Sequence, residues 1–187
     1  DITASAITYG QTLSASTITG TMKDGEETVS GSFEWVNGDT QLNAGEHEVE
    51  WKFTPTDGDT YTEATGKATV TVNKADLANA EAWINPSDGV DSEVKITYVP
   101  DDFGRKVTVK TFEVNGITLA NEGKELDGNL FTIAGNTGKE VGTYTLTITP
   151  TESNTNFTGT FTKEWKIVPH KVEVAIDKAV RTYDGTD

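Results

Sequence analysis

Histidine is scarce in this chain, with His47 and His170 its only two, and cysteine is absent. Thiolate chemistry and Cys-ligated zinc therefore have no ligands to use. No Gly-x-Ser-x-Gly elbow, phosphate-cradling glycine loop or His-Glu-x-x-His run occurs anywhere in the 187 residues. A Ser-His-Asp arrangement would have to recruit His47, which is in phase with Val49 and Trp51 at the start of an alternating run; a partly buried packing role is expected there. Thirty Asp and Glu could supply the paired carboxylates of a glycoside hydrolase. That chemistry needs a cleft to hold the pair, which small β layers rarely build. No catalytic residue is assigned, and the expectation is a protein that is not an enzyme.

Tryptophan offers a different chemistry, since an exposed indole can stack on a sugar ring. Trp35, Trp51 and Trp165 each share parity with other apolar residues, so packing is their expected role. Trp83 follows a different pattern, within Asn79-Ala80-Glu81-Ala82-Trp83-Ile84-Asn85-Pro86. It either plugs the junction between two modules or stands exposed as a glycan platform, and it is the one candidate ligand-binding residue.

Close Asp pairs could hold calcium at Asp57 and Asp59, Asp88 and Asp91, or Asp101 and Asp102. None completes the Asp-x-Asp-x-Asp-Gly loop with its distal Glu, so turn capping is the expected role and no cofactor or metal is assigned. Lys163 is in phase with Phe161, Trp165 and Ile167 and would point at a core. A bare buried ammonium is costly, so the side chain is expected to reach solvent at an edge rather than join an isopeptide bond.

The formal charge of −15, from 30 acidic against 15 basic residues, repels phosphate backbones and anionic head groups. Nucleic-acid and membrane-surface partners are disfavoured. No apolar run approaches 18 residues and no basic-plus-apolar leader is present, so membrane insertion is not expected and the chain reads as an excised middle piece, monomeric as it stands.

The elements that must position these residues are strands. Val29, Gly31, Phe33 and Trp35 share one parity, as do Val49, Trp51 and Phe53, then Ala68, Val70 and Val72. Polar partners such as Glu46, Glu48 and Glu50 fall between them, the pattern of an antiparallel sheet wetted on one face. A second set comprises Val94, Ile96 and Tyr98; Val107 and Val109; Leu130, with Phe131 and Ile133 on the opposite parity; Tyr144, Leu146 and Ile148; and Phe161, Trp165 and Ile167. Turns are expected at Asp24-Gly25, Asn37-Gly38, Asp57-Gly58, Asp88-Gly89, Asn115-Gly116 and Asp127-Gly128, where glycine tolerates positive φ. Asn115-Gly116, between Phe112-Glu113-Val114 and Ile117-Thr118-Leu119, is the clearest hairpin. Only Ala75 to Trp83 is helix-friendly, and it is short.

One hairpin is used twice. The run from Ala44-Gly45 to Phe53-Thr54-Pro55-Thr56 has a counterpart two residues shorter, from Val141-Gly142 to Ile148-Thr149-Pro150-Thr151. Each is followed by an aromatic, Tyr61 or Phe157, and then by a final alternating strand ending at Val72 or Ile167. A third copy starts with Val172, Val174 and Ile176 before Arg181-Thr182-Tyr183-Asp184-Gly185-Thr186, similar to Ile7-Thr8-Tyr9-Gly10-Gln11-Thr12. These repeats place modules at residues 1–74, 75–169 and 170–187, with linkers short enough to limit bending.

The Ile7 to Leu13 run, the Trp35 strand, Phe53-Thr54-Pro55-Thr56-Asp57 through Tyr61, and Val70 to Ala75 resemble the MBG-type tandem immunoglobulin-like repeats of large bacterial surface proteins. Arg181 to Thr186 resembles the opening of a YDG-type repeat. The resemblance covers the first module, the last two strands of the second and the stub of the third. It implies an all-β chain of two immunoglobulin-like β-sandwiches, secreted and held at the cell surface through other parts of the parent chain. Such segments act in adhesion, spacing or glycan display, with host or dietary glycans or proteins as partners. No site residue transfers from the resemblance. The second module departs from the pattern between Asp76 and Gly138, where the added hairpin would hold any private function.

Overall fold

The structure is a computed structural model describing residues 1–85, 94–98, 104–170 and 172. The Asp88-Gly89 turn, the pairs Asp88/Asp91 and Asp101/Asp102, and all of the third repeat but His170 and Val172 lie outside the described residues. The chain is all β, as the period-two patterning requires.

The first part contains β1 (Thr3–Ala4), β2 (Ile7–Thr8), β3 (Ile18–Thr19), β4 (Met22–Asp24), β5 (Glu27–Val29), β6 (Gly31–Trp35), β7 (Gly45–Pro55) and β8 (Ala64–Asn73). The second contains β9 (Ala75–Asp76), β10 (Glu81–Asn85), β11 (Val94–Thr97), β12 (Arg105–Lys106), β13 (Thr108–Val114), β14 (Ile117–Ala120), β15 (Phe131–Ala134), β16 (Thr137–Gly138), β17 (Gly142–Pro150), β18 (Phe157–Thr158) and β19 (Phe161–Val168). The helix-friendly stretch forms only a single 3-10 turn, Leu77–Asn79, capped by the Asp76 carboxylate accepting from Ala78 N.

The two parts share one sheet plan. The orders are β2-β8-β7-β6 and β11-β19-β17-β15. In each, a long antiparallel pair (β7 with β8, β17 with β19) lies at the centre, a short parallel strand flanks one side and an antiparallel strand the other. The repeated Gly-to-Thr-Pro run is thus the same central strand used twice. Its proline lies at the strand end, where a missing N–H costs no internal ladder bond.

Two buried clusters follow the repeat. The first gathers Ile7, Leu13, Trp35, Trp51, Phe53, Ala68, Val70 and Val72. Its cover is built from the short pairs β1-β3 and β4-β5 and from Leu13 on a 3-10 turn, so no long second sheet closes this side. The second cluster has a full opposing layer: Ile84, Phe112, Val114 and Ala120 from the sheet β10-β13-β14 meet Leu146, Ile148, Phe161, Trp165 and Ile167. This half is sandwich-like. The hairpin at Asn115-Gly116 joins β13, the middle strand of that opposing layer, to its edge strand β14, with positive φ at both turn residues, 50° and 76°, as a two-residue primed turn demands.

Several details differ from expectation. Gly38, Gly58 and Gly128 stand in turns without positive φ; only Gly25 and Gly116 of the expected described corners take it. Ile133 shares parity with buried Phe131 yet is exposed, because β15 is an edge strand whose core contact is confined to its first residue.

Candidate functional site

Trp83 stands on β10 with its side chain 52% exposed. It does not plug the junction between the two cores. Its neighbour Ile84 is buried and Ala82 packs on the second core, so alternation aims Trp83 outward. Trp83 pairs with Thr111 and Glu81 pairs with Glu113, which places these residues on one outward face of the sheet β10-β13-β14. The Trp83 backbone N donates to Thr111 Oγ1 at 3.2 Å.

Two bulges frame this face. The β10/β13 register shifts after Trp83, and the β13/β14 register shifts between Phe112 and Glu113, where Glu113 pairs with Thr118. Bulges bend a strand and re-aim its side chains. A shallow groove of about 540 Å³ results, lined by Glu81, Trp83, Thr111, Glu113, Thr118 and Asn121 among others.

Glu81 and Glu113 sit directly opposite each other, a placement that sets Cβ atoms roughly 5 Å apart. Among the described residues no cation pairs with either. Like charges held this way are destabilising for the sheet. Both carboxylates are open to solvent, whereas acid–base division of labour needs two carboxyls in unequal surroundings. The face is equipped to accept hydrogen bonds and to stack.

The remaining sequence candidates have structural roles. Trp35, Trp51 and Trp165 are buried; Trp35 Nε1 donates to Ser16 O at 2.8 Å and Trp165 Nε1 to Gly135 O at 2.9 Å. His47 is half-buried, its Nε2 lying 2.7 Å from Asn43 O. Asp57 Oδ1 accepts from Asp59 N and Thr60 N at 3.2 and 3.1 Å, and hydrogen bonding from Thr60 holds its carboxyl below the usual range. That is turn capping. Among the described residues no three His, Asp or Glu side chains gather in a metal-holding group. Lys163 is half-buried on β19, an inner strand between β11 and β17 rather than an edge strand.

Sequence reasoning missed the residues that join the two cores. Asn156 Oδ1 accepts from Ala44 N at 2.9 Å, its Nδ2 donates to Asn43 Oδ1 at 3.2 Å, and its backbone O accepts from Ala75 N at 3.0 Å. Asn115 Nδ2 donates to Tyr9 O at 2.6 Å. Tyr9 packs against both clusters. Gly10, at φ 101°, lets the hairpin close on it, since a Cβ there would lie 2.7 Å from Asn115 O. The only available signal was the unusual Tyr9-Gly10 pair, because asparagine in a loop reads as turn chemistry. Neither protein-family models nor curated proteins match the chain.

Proposed function

We propose that this chain is a non-catalytic stalk or adhesion segment of a larger bacterial cell-surface protein, formed by two tandem immunoglobulin-like sandwiches of the MBG type. Residues 1–74 and 75–169 are its modules, and residues 170–187 open the next. The observation that carries the reading is the joint. One residue, Lys74, separates β8 from β9, and Asn156 ties both sides of that step together through its side chain and backbone. A segment that must project a distant part of its parent needs a joint that does not fold back, and a polar clamp around a one-residue linker supplies it.

The absence of cysteine makes the test direct. Spin labels introduced at Thr28→Cys and Glu152→Cys, one on each side of the joint, are expected to give a single narrow distance distribution. A broad distribution would remove the mechanical basis of the proposal.

Carbohydrate binding is the second reading, favoured by the outward indole of Trp83 beside polar groups. Saturable tryptophan fluorescence changes with oligosaccharide, together with calorimetric binding that is lost in Trp83→Ala, would support it.

A further inference from the structure

The groove over Trp83 carries more than the general reading, because the charged residues of its lining, Glu81 and Glu113, are of one sign. Resting on the carbohydrate reading, we propose that this groove binds an uncharged pyranose chain and excludes glycans bearing uronate or sialate groups.

The indole supplies the platform. Its π face is electron-rich and matches the C–H face of a pyranose whose hydroxyls are equatorial. The rim supplies direction. Glu81 and Glu113 are ionised acceptors with no cation partner among the described residues, so they take hydrogen bonds from sugar hydroxyls, which are donors, in the stronger charge-assisted form. Thr111 Oγ1 already accepts from Trp83 N, which leaves its O–H proton to donate outward to a ring or hydroxyl oxygen. Thr118 adds a second hydroxyl on the facing strand.

Charge decides the class. A carboxylate on the ligand would meet two opposed carboxylates and the field of a chain carrying −15 overall. An uncharged sugar brings no like charge and meets two carboxylate acceptors in need of donors, with the hydroxyls of Thr111 and Thr118 beside them. The same charges disfavour a second copy of this acidic chain as the occupant. The groove is open rather than enclosed, a shape for internal units of a chain lying across the sheet, not for a single buried residue.

The test uses the whole chain with three probes: cellohexaose and chitohexaose, both uncharged, and hexagalacturonate. Trp35, Trp51 and Trp165 are buried, so a binding-dependent change in fluorescence reports Trp83. A saturable change is expected with at least one uncharged probe. By isothermal titration calorimetry, which does not depend on the indole, Trp83→Ala should weaken that binding about tenfold or more, and Glu113→Gln about threefold, as a charged acceptor becomes a neutral one. Hexagalacturonate should give no saturable response with the native chain and a measurable one with the Glu81→Gln, Glu113→Gln double variant. If neither kind of probe binds, the carbohydrate reading itself fails, and this inference with it. If the acidic probe binds the native chain as tightly as an uncharged one, the reading stands and the assignment of charge class is overturned.

Discussion

Tyr9 of the first core meets Phe157 of the second edge to face, with ring centroids 5.3 Å apart and planes at 87°. Phe157 also packs against Phe131 at 5.4 Å, so one buried ring serves the interior of the second core and the seam to the first. Phe157→Ala is expected to cost about 3–5 kcal/mol by denaturant titration. Tyr9→Ala should cost less, since Tyr9 is only half-buried, but it should broaden the distance distribution between the labels at positions 28 and 152. A Tyr9→Ala variant with an unchanged distribution would show that the amide clamp alone holds the joint.

Two glycines separate local strain from seam packing. Gly25 takes positive φ with nothing within 4 Å of an added Cβ, while Gly10 takes positive φ with backbone in the way. Gly25→Ala should cost about 1 kcal/mol from backbone strain. Gly10→Ala should cost more, about 2–3 kcal/mol, and should also loosen the joint, because the Asn115 hairpin must retreat. Equal costs would mean that the hairpin does not press on Tyr9-Gly10.

The buried indoles make a second matched pair. Trp165 Nε1 donates to Gly135 O while its ring stacks on Tyr144 at 4.7 Å; Trp51 Nε1 is buried with no partner among the described residues. Trp165→Phe strands a carbonyl and should cost about 1–3 kcal/mol from the lost bond, beyond the change in volume. Trp51→Phe relieves an unsatisfied donor, so its cost should be smaller by about that amount. Thermal or denaturant midpoints of the two variants decide the comparison.

The pH response has a definite sign. Asp57 is held below its ordinary range by hydrogen bonding from Thr60, so its contribution is present above the unfolded carboxyl value, near 3.9, and is lost as pH falls through the lower folded value. Lys52, raised chiefly by its hydrogen bond to Glu34, and Lys67, raised chiefly by its hydrogen bond to Glu48, act at the other limb. Their contributions are complete below the unfolded lysine value, near 10.4, and vanish as pH climbs through the folded ones. None of the three groups is buried, so the effects should be small and shrink with added salt. Asp57→Asn should make the acid limb of the stability profile slightly shallower without altering the alkaline limb.

The central strands were legible because they obey one rule repeatedly: alternation from Gly45 to Phe53 and from Gly142 to Ile148, each closed by a Thr-Pro corner, dictates an antiparallel strand with one wet face. The Asn115-Gly116 hairpin was legible for the same reason, since its turn residues have few other conformations to offer. Asn156 was not. Its partners Asn43 and Ala44 are more than 110 positions away, and a polar side chain carries no periodic mark of the surface it will meet. Trp83 remained two-sided because the bulge beside it interrupts the parity that settles Trp35, Trp51 and Trp165.

The short parallel pairing of β2 with β8 has one more consequence. Ile7 and Thr8 run alongside Val72 and Asn73 in the same direction, at the entry and exit of the first core. A pull on the two ends of that core drags these strands past each other lengthwise. Their ladder bonds, with Tyr9 N to Asn73 O at 2.8 Å, are then loaded in shear and must yield together instead of unzipping one by one.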